Sequence, residues 1–253
     1  LDVHFGTGAL TLDLEPGRGL TDAIDNPSRI DGLFIERAMI RANDNLVVLS
    51  AEAPISAPLM TDGAAFVQLE EEFRQAFEIT VIDLPRNMLI NFPQLLADVN
   101  FITVVCEFTL ASARDTIRIL SWLKTYAPHA QPVLLANKSQ NGLAEISRAD
   151  FEASVERKVD FVIPYDAKAA TNAAKLGQAF VEANKTSKVA AQMRQIVSHI
   201  LSAGDEVLEP AEPAGKKSLL GSLDIKSIMS TSKKSKPSGA SKSKAKGVAK
   251  ANA

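Results

Sequence analysis

The sequence lacks several features that would point to special classes of protein. Its only cysteine is Cys106, so no disulfide can form within the chain and a metal site built on cysteines is excluded. Because Cys106 lies inside the apolar run FITVVC, we predict a buried residue in a reducing compartment. No run approaches the roughly 18 apolar residues of a membrane-spanning helix, and no signal-peptide pattern opens the chain.

A phosphate loop of the form G-x-x-x-x-G-K-[ST] is also absent from the 253 residues. The composition is otherwise ordinary, with 46% hydrophobic and 23% charged residues, which predicts a globular protein with one sizeable α/β core. Composition therefore indicates a fold class and leaves the function open.

Charge divides the chain into two parts. From residue 215 onward there are ten lysines and one acid, a net charge of +9, whereas the rest carries 18 basic and 29 acidic residues, a net charge of −11. We predict a folded domain over residues 1–208 and a flexible Lys/Ser/Ala-rich tail over residues 209–253. A lysine-rich tail can contact nucleic acid nonspecifically. Since no aromatic residue interleaves these lysines, we expect no base stacking, and nucleic acid is disfavoured as a partner.

Within the tail, residues 218–229 (SLLGSLDIKSIM) place leucines and isoleucines between lysines. One interpretation is a short amphipathic segment that contacts a membrane surface or a partner. The alternative is a flexible linker with a few leucines, which Gly221 favours because glycine weakens a helix.

The folded part alternates short β-rich runs with helical stretches, the pattern of a mostly parallel sheet covered by helices on both faces. The predicted strands lack polar alternation and are therefore expected to be buried on both faces; they are 45–50, 78–83, 101–106, 131–136 and 160–164. The predicted helices are 61–76, 91–98, 109–126, 147–157 and 186–202.

Three aspartates stand at or just beyond the carboxyl ends of predicted strands, where ligands bind in open α/β sheets. Asp2 precedes a GTG turn, Asp83 ends the run EITVID, and Asp166 follows the run DFVIP. At the position of Asp83, an acid can face a magnesium ion beside bound phosphates. Each also has a structural interpretation: a turn for Asp2, a strand cap for Asp83 and a helix N-cap for Asp166.

Amide and proline residues follow the last two predicted strands. Asn137 and Lys138 come after the run VLLA, and Pro164 ends the next run. An asparagine amide can pair with a purine edge because it offers both a donor and an acceptor. Taken alone, an Asn-Lys pair more commonly forms a simple turn.

These motifs arrive in an order that resembles the MinD/ParA group of deviant Walker ATPases. Within that group the chain looks most like the CpaE/TadZ-type proteins of Tad (Flp) pilus assembly, over about residues 1–203. VIDLPRN and VLLANK resemble the wider superfamily, whereas LDVHFGTGALTLDLEPGRG, LFIERAMIRANDNLVVLSAEAP and FVIPYDAKAATNAAKLGQAF resemble the pilus subgroup.

The resemblance implies catalytic and switching roles near the phosphates. Asp2 matches an acid that helps position the attacking water or the metal, and Asp83 matches the Walker B acid that holds Mg²⁺ through water. Pro85 and Arg86 match the switch segment that responds to the γ-phosphate. Since many relatives have small, glycine-containing sequence where this chain has LPRN, we expect a slow ATPase or a nucleotide-dependent scaffold.

The resemblance also implies a site for the adenine base of ATP. Asn137, with Lys138 beside it, matches the adenine-recognising position. The turn from Pro164 to Asp166 matches the segment that lines the other side of the base.

By the same resemblance the first strand and its phosphate loop would lie upstream of Leu1, so we expect this chain alone neither to bind ATP tightly nor to hydrolyse it. The whole protein is expected to be a cytoplasmic ATPase that forms a homodimer around ATP and Mg²⁺. It would recruit Tad pilus machinery at the inner membrane or the cell pole, with peripheral membrane contact through the basic tail. Alternatives are a non-hydrolysing scaffold, a ParA-type partitioning ATPase and a MinD-type septum-site ATPase; the acidic body argues against partitioning.

Overall fold

The computed structural model describes residues 1–140 and 142–208, with side chains up to residue 204. One compact unit comprises Leu1–Leu208. The predicted tail 209–253, with its amphipathic segment 218–229, lies outside the described residues, so this part of the domain division stays a prediction.

The described residues form five strands and ten α-helices, with two short 3-10 helices at Pro27–Arg29 and Pro93–Leu96. The strands are β1 Ile40–Asn43, β2 Leu46–Val48, β3 Phe101–Cys106, β4 Gln131–Ser139 and β5 Phe161–Pro164. The helices are α1 Gly8–Thr11, α2 Gly19–Asp25, α3 Gly32–Ala38, α4 Ala64–Ala76, α5 Arg86–Asn91, α6 Leu110–Tyr126, α7 Arg148–Val155, α8 Ala167–Leu176, α9 Phe180–Ala183 and α10 Lys188–Leu208.

The central feature is a parallel three-stranded sheet in the order β3-β4-β5. Val104 of β3 lies opposite Leu134 of β4, and Leu135 of β4 lies opposite Phe161 of β5. One face of the sheet packs against α6 and α7, and the other packs against α10. The predicted α/β class, with helices on both faces of a parallel sheet, is confirmed.

The middle strand β4 has the burial expected of a run without polar alternation, since residues 133–136 are all buried. The edge strand β3 differs, because Val104 and Cys106 are buried whereas Thr103 and Val105 are exposed. The apolar run FITVVC therefore predicted the position of β3 correctly. The expectation that β3 is buried on both faces is wrong.

Side-chain caps start two of the helices beside the site. Thr109 accepts a hydrogen bond from the backbone N–H of Ser112 at 3.1 Å and so caps α6. At α7, Ser147 accepts from the backbone N–H of Asp150 at 3.1 Å and donates its hydroxyl proton to the Asp150 carboxylate at 2.6 Å. Such caps satisfy donors that a helix N-terminus leaves free.

The strand predicted at 45–50 is shorter than expected and has a different partner. β2 pairs antiparallel with β1 to form a hairpin, with Ile40 opposite Val48 and Asn43 opposite Leu46. The side chain of Asn43 accepts a hydrogen bond from the backbone N–H of Asn45 at 2.9 Å and stabilises the turn. Sequence pattern alone did not predict β1, because its run IRAN carries two polar residues.

The strand predicted at 78–83 is absent from the structure. Residues 79–85 have no regular secondary structure, and Val81 is 90% exposed. The helix predicted at 91–98 is also wrong: α5 ends at Asn91 and a 3-10 turn begins at Pro93. Proline has no N–H for a helical hydrogen bond and disfavours helical backbone in the residue before it, so the helix stops there.

A separate hydrophobic core lies beneath α2, α3 and α4. Its fully buried side chains include Phe66 and Leu69 of α4, together with Leu95 of the second 3-10 turn. The rings of Phe66 and Phe92 pack edge to face with centroids 5.3 Å apart, a favoured aromatic geometry. Leu84 contacts both this core and the core of the parallel sheet, which joins the two halves of the described unit.

Candidate functional site

A cavity of about 380 Å³ lies where the three parallel strands end. Glu107 follows β3, Asn137 and Lys138 stand near the end of β4, and Tyr165 follows β5; all four line the cavity. Because the carboxyl ends of parallel strands meet at one edge of the sheet, residues far apart in sequence come together there. The cavity is of the size that holds a small organic ligand.

The end of β4, which lines this cavity, is irregular. Lys138 adopts a left-handed backbone with φ of 51°, and the pairing with β5 shifts register between Ala136 and Ser139. The Asn137 side-chain oxygen accepts a hydrogen bond from the Lys138 backbone N–H at 2.8 Å. The Tyr165 backbone N–H then donates to the Ser139 carbonyl at 2.9 Å, which holds the two strand ends together.

Charge at the site comes from one ion pair and from Glu145, which also lines the cavity. Nζ of Lys138 lies 3.2 Å from Oε1 of Glu107, and both side chains are about half exposed. The backbone N–H of Glu107 donates to the Ser112 hydroxyl at 3.0 Å, which fixes the short link between β3 and α6. The cavity therefore combines one ion pair, a second carboxylate from Glu145, an amide and a phenol.

The turn after β5 supplies one side of the cavity. Pro164 is half-buried at the end of the strand, and the half-exposed Tyr165 side chain lines the cavity. The Asp166 carboxylate accepts a hydrogen bond from the Ala169 N–H at 2.9 Å and caps α8. Asp166 thus has the structural role considered for it, and Tyr165, which the sequence analysis did not select, faces the cavity.

Asp2 and Asp83, the two acids predicted to lie near the phosphates, are brought close together by a backbone hydrogen bond between Leu1 and Asp83. The Leu1 nitrogen donates to the Asp83 carbonyl. Asp2 uses its carboxylate locally, because Oδ1 accepts from the backbone N–H of His4 at 3.2 Å and of Phe5 at 2.9 Å. The exposed Asp83 carboxylate has no hydrogen bond or ion pair to any residue in the described part of the chain.

The predicted switch residues begin a helix. Pro85 precedes α5, and Arg86, its first residue, forms an ion pair with Asp115 of α6. Thr109, which caps α6, also lines the cavity. A continuous set of elements therefore connects Arg86 to the cavity, although Asp2, Asp83, Pro85 and Arg86 are not among the residues that line it.

The single cysteine has no part in this site. Cys106 is buried, and its thiol donates to the Leu135 carbonyl with a sulfur–oxygen distance of 3.4 Å. Burial raises the pKa of the thiol to about 11, and the neighbouring Glu107 carboxylate acts in the same direction. The thiol is therefore protonated and unreactive near neutral pH.

Glu107 and Tyr165 are the site residues that the sequence analysis missed. Both directly follow a strand of the parallel sheet, and Asn137 lies within the irregular end of β4. The same positional signal, a place at the carboxyl end of a strand, was therefore present for all three residues.

Residues 1–140 and 142–208 contain no group of three or more metal-ligating side chains. None of the helices in those residues is both long and apolar enough to span a bilayer.

Solved structures resemble this arrangement, whereas sequence comparisons do not find relatives. No protein-family model matches the sequence, and a search of curated proteins gives no significant match. The structure of a ParA family ATPase from Chlorobium tepidum TLS matches with a TM-score of 0.66 and 15% identity, covering 76% of this chain and 83% of that chain. The chain has the ParA/MinD fold.

Two MinD structures support the same fold. The Pyrococcus furiosus cell division ATPase MinD matches with a TM-score of 0.66 and 19% identity, over 80% of this chain and 83% of that chain. The MinD cell division protein of Aquifex aeolicus matches with a TM-score of 0.54 and 14% identity, over 84% of this chain and 96% of that chain. At these identities the likeness establishes the ParA/MinD fold, and function has to be argued from the site.

Proposed function

We propose that this chain carries the base-binding and metal-facing parts of a nucleotide-dependent ATPase of the ParA/MinD type. The observation that carries the proposal is the cavity at the carboxyl edge of the parallel sheet, with Asn137, Lys138 and Tyr165 in its lining. In open α/β sheets this edge is where nucleotides bind. The structural neighbours, a ParA family ATPase and a MinD cell division ATPase, agree with the proposal.

The chemistry of the cavity suits an adenine base. Because the Asn137 side-chain oxygen already accepts from the Lys138 N–H, its NH₂ group is the part left to donate to a ring nitrogen of the purine. The Tyr165 ring supplies an aromatic face for stacking, which contributes about 1–3 kcal/mol per base in proteins that bind single-stranded nucleic acid. Backbone carbonyls of the Pro164–Asp166 turn can accept from the exocyclic amine.

The phosphate side is only partly present in residues 1–253. The free carboxylate of Asp83 fits a water-mediated contact with Mg²⁺, which commonly takes one or two carboxylates together with phosphate oxygens. Mg²⁺ would neutralise phosphate charge and orient the terminal phosphate. The sequence contains no G-x-x-x-x-G-K-[ST] loop. Residues 1–253 therefore do not supply the backbone N–H groups and the lysine with which such a loop binds phosphates. Asp2 stays proposed as the acid near the attacking water.

We further propose that the protein acts in pilus assembly as a CpaE/TadZ-type component. This proposal rests on the sequence stretches LDVHFGTG and FVIPYDAKAATNAAKLGQAF. It entails ATP-dependent homodimerisation, recruitment of Tad machinery and peripheral placement at the membrane. A non-hydrolysing scaffold is the second candidate, favoured by the Arg86–Asp115 ion pair, which already engages the switch arginine.

The test is an NMR titration of the 253-residue protein with adenosine, guanosine and ATP. We expect adenosine to shift the backbone resonances of Asn137 and Tyr165 with a Kd of about 1 mM, near −4 kcal/mol, and guanosine to bind more weakly. ATP should bind with a Kd similar to that of adenosine, because the phosphate loop is not in the sequence.

A matched pair of variants assigns the binding to the cavity. Asn137→Ala should weaken adenosine binding about tenfold, the value of one or two hydrogen bonds, whereas Asn172→Ala on the exposed face of α8 should leave it unchanged. Shifts that avoid the cavity would refute the base site. Micromolar ATP binding would show that residues 1–253 hold the phosphates tightly without a G-x-x-x-x-G-K-[ST] loop.

A further inference from the structure

A cavity of about 470 Å³ lies at the amino edge of the parallel sheet, opposite the candidate base site. Ile102 lines it from the second position of β3, and Pro132 lines it from the second position of β4. Leu123 in the last turn of α6 and Val155 at the end of α7 also line it. The described residues that line this cavity do not line the candidate base site, so the two places can bind different ligands.

The inner wall of this amino-edge cavity is apolar. Leu123, Ala127, Ala130 and Val155 line it and are each at most 8% exposed. The partly buried Leu120 lines it as well and packs against the same core. An apolar group that enters from water gains from the hydrophobic effect at such a wall. The volume is within the range of pockets that hold small organic ligands.

Arg157 brings a positioned cation to the cavity. It follows Glu156, which ends α7 in a left-handed backbone with φ of 53°, the conformation that glycine usually takes after a helix. Nη2 of Arg157 donates to the Pro132 carbonyl at 2.6 Å and lies 3.3 Å from Oδ2 of Asp160. These contacts hold the guanidinium beside the start of β4.

The cavity has more hydrogen-bond donors than it uses. Nε of Arg157 is buried and has no hydrogen-bond partner among the described residues, and Nη1 forms no hydrogen bond with them either. Lys124, in the last turn of α6, also lines the cavity, and its ammonium forms no ion pair within the described part of the chain. A carboxylate is the acceptor that best matches a guanidinium and an ammonium.

We propose that the amino-edge cavity binds a small organic monocarboxylate with an apolar body, such as a medium-chain aliphatic acid. The carboxylate accepts hydrogen bonds from Arg157 and Lys124, and the apolar body lies against Leu123 and Val155. Glu156, which also lines the cavity, restricts the ligand to one negative charge, because it would repel a second carboxylate. This binding site goes beyond the proposed function and requires no nucleotide.

An NMR titration of the 253-residue protein with straight-chain acids tests the site. We expect octanoate to shift the backbone resonances of Leu123 and Val155 with a Kd of about 1 mM and to leave those of Asn137 and Tyr165 in place. Butanoate should bind at least about tenfold more weakly, because each buried methylene changes the Kd about threefold to fourfold. Octylamine and the dicarboxylate octanedioate should also bind more weakly than octanoate, because the cations repel the first and Glu156 repels the second.

Three results of this titration would overturn the proposal. The first is the absence of octanoate binding, and the second is a set of shifts that avoids Leu123 and Val155. The third is equal affinity for octanoate and octylamine, which would show that the cavity binds any apolar chain without regard to charge.

A matched pair of lysine variants tests the charge contact. Lys124→Gln should weaken octanoate binding about threefold or more and leave the binding of neutral 1-octanol unchanged. Lys175→Gln, at the corresponding place in the last turn of α8, should change neither. Equal effects of the two variants on octanoate would contradict a contact with Lys124.

A matched pair of serine variants tests the location. Ser121, an exposed residue of α6, lines the cavity, so a phenylalanine there would fill it from the outside. Ser121→Phe should therefore weaken octanoate binding at least about tenfold, which is the loss of two or more methylene contacts. Ser198→Phe, at an exposed position on α10, should leave it unchanged. Full octanoate affinity in Ser121→Phe would place the ligand elsewhere and overturn the proposal.

Discussion

Nζ of Lys138 lies 3.2 Å from Oε1 of Glu107, so an ion pair links the carboxyl ends of β4 and β3 at the mouth of the candidate base site. Half-exposed pairs of this kind contribute at most about 1 kcal/mol to stability. The pair therefore matters chiefly for the electrostatic potential of the cavity. The negative charge of Glu107 offsets the positive charge of Lys138, which would otherwise attract an anionic ligand.

Removing the carboxylate should strengthen anion binding at the cavity. We expect Glu107→Gln to raise the affinity for adenosine monophosphate about two- to fivefold at low salt, an effect that shrinks as ionic strength rises. Adenosine, which is neutral, should bind with unchanged affinity. Parallel titrations with both ligands at two salt concentrations measure this. Equal changes for adenosine and its monophosphate would show that Glu107 acts on shape and not on charge.

The close contact between Gly177 and Asp13 should make Gly177 sensitive to substitution. Gly177 ends α8 with φ of 57°, and a Cβ there would lie 2.4 Å from the Asp13 Cβ. We expect Gly177→Ala to lower the free energy of unfolding by about 2–3 kcal/mol, from backbone strain and overpacking together. Gly8→Ala, where a Cβ meets nothing within 4 Å, is the control and should change it little. Urea unfolding of both variants decides; equal losses would contradict the contact.

The sequence predicted those elements whose partners are local or whose burial is complete. The helices predicted at 109–126 and 147–157 start at side-chain caps whose partners lie within four residues, and β4 is buried on both faces, so pattern and structure agree. Residues 79–82 have the same apolar chemistry as β3 and are not a strand, because a strand exists only where a neighbour pairs with it. Pairing is non-local, and a sequence pattern does not reveal it.

The candidate site was predictable for a similar reason, and only in part. Asn137 and Lys138 were selected because ligand-binding residues stand at the carboxyl ends of parallel strands, and the same rule applied consistently would have selected Glu107 and Tyr165. The carboxylate of Asp2 was selected by the same rule, yet the turn formed by His4 and Phe5 uses it. Local backbone donors compete for a carboxylate, and their geometry depends on the folded chain.

Glu152 is expected to be a main electrostatic contributor to stability. Its side chain, 8% exposed, accepts from Lys158 and Arg148 at 2.8 Å each and from the Val159 N–H at 3.1 Å. The hydrogen bonds from Lys158 and Arg148, in that order, lower the pKa of the carboxyl to about 2. Because the folded pKa lies below the ordinary value of 4.5, this stabilisation is present above pH 4.5 and is lost as the pH falls towards 2.

We therefore expect Glu152→Gln to reduce the free energy of unfolding at pH 7 by about 1–2 kcal/mol, since the Val159 N–H loses a charged acceptor and two largely exposed cations, Lys158 and Arg148, lose a solvent-screened partner. The difference from the parent protein should shrink below pH 4. Glu182→Gln, at an exposed position on α9, is the matched control and should have little effect. Urea unfolding at pH 7 and pH 3.5 measures both; a difference independent of pH would contradict the ionic explanation.

Glu70 should show the opposite pH dependence. Its Oε1 atom is buried without a hydrogen-bond partner among the described residues, although the side chain as a whole is half-buried. Burial raises the pKa of this carboxyl to about 7, the Arg74 guanidinium opposes the rise, and Asp98 adds to it. Since the folded pKa lies above the ordinary 4.5, the folded state gains from a protonated Glu70 at low pH and loses that advantage as the pH rises from 4.5 through 7.

Glu70→Gln keeps the shape of the side chain and removes its charge. We expect this variant to be more stable than the parent at pH 8, by about 1 kcal/mol after discounting for solvent screening, and about equally stable at pH 4.5. Glu71→Gln, at the exposed neighbouring position on α4, should not alter the pH profile. Thermal unfolding between pH 4.5 and 8 is the measurement. If Glu70→Gln is destabilising at pH 8, the ionised carboxylate has a favourable interaction with Arg74 that outweighs its burial, and Glu70 belongs with the Arg74–Asp98 pair as a stabilising group.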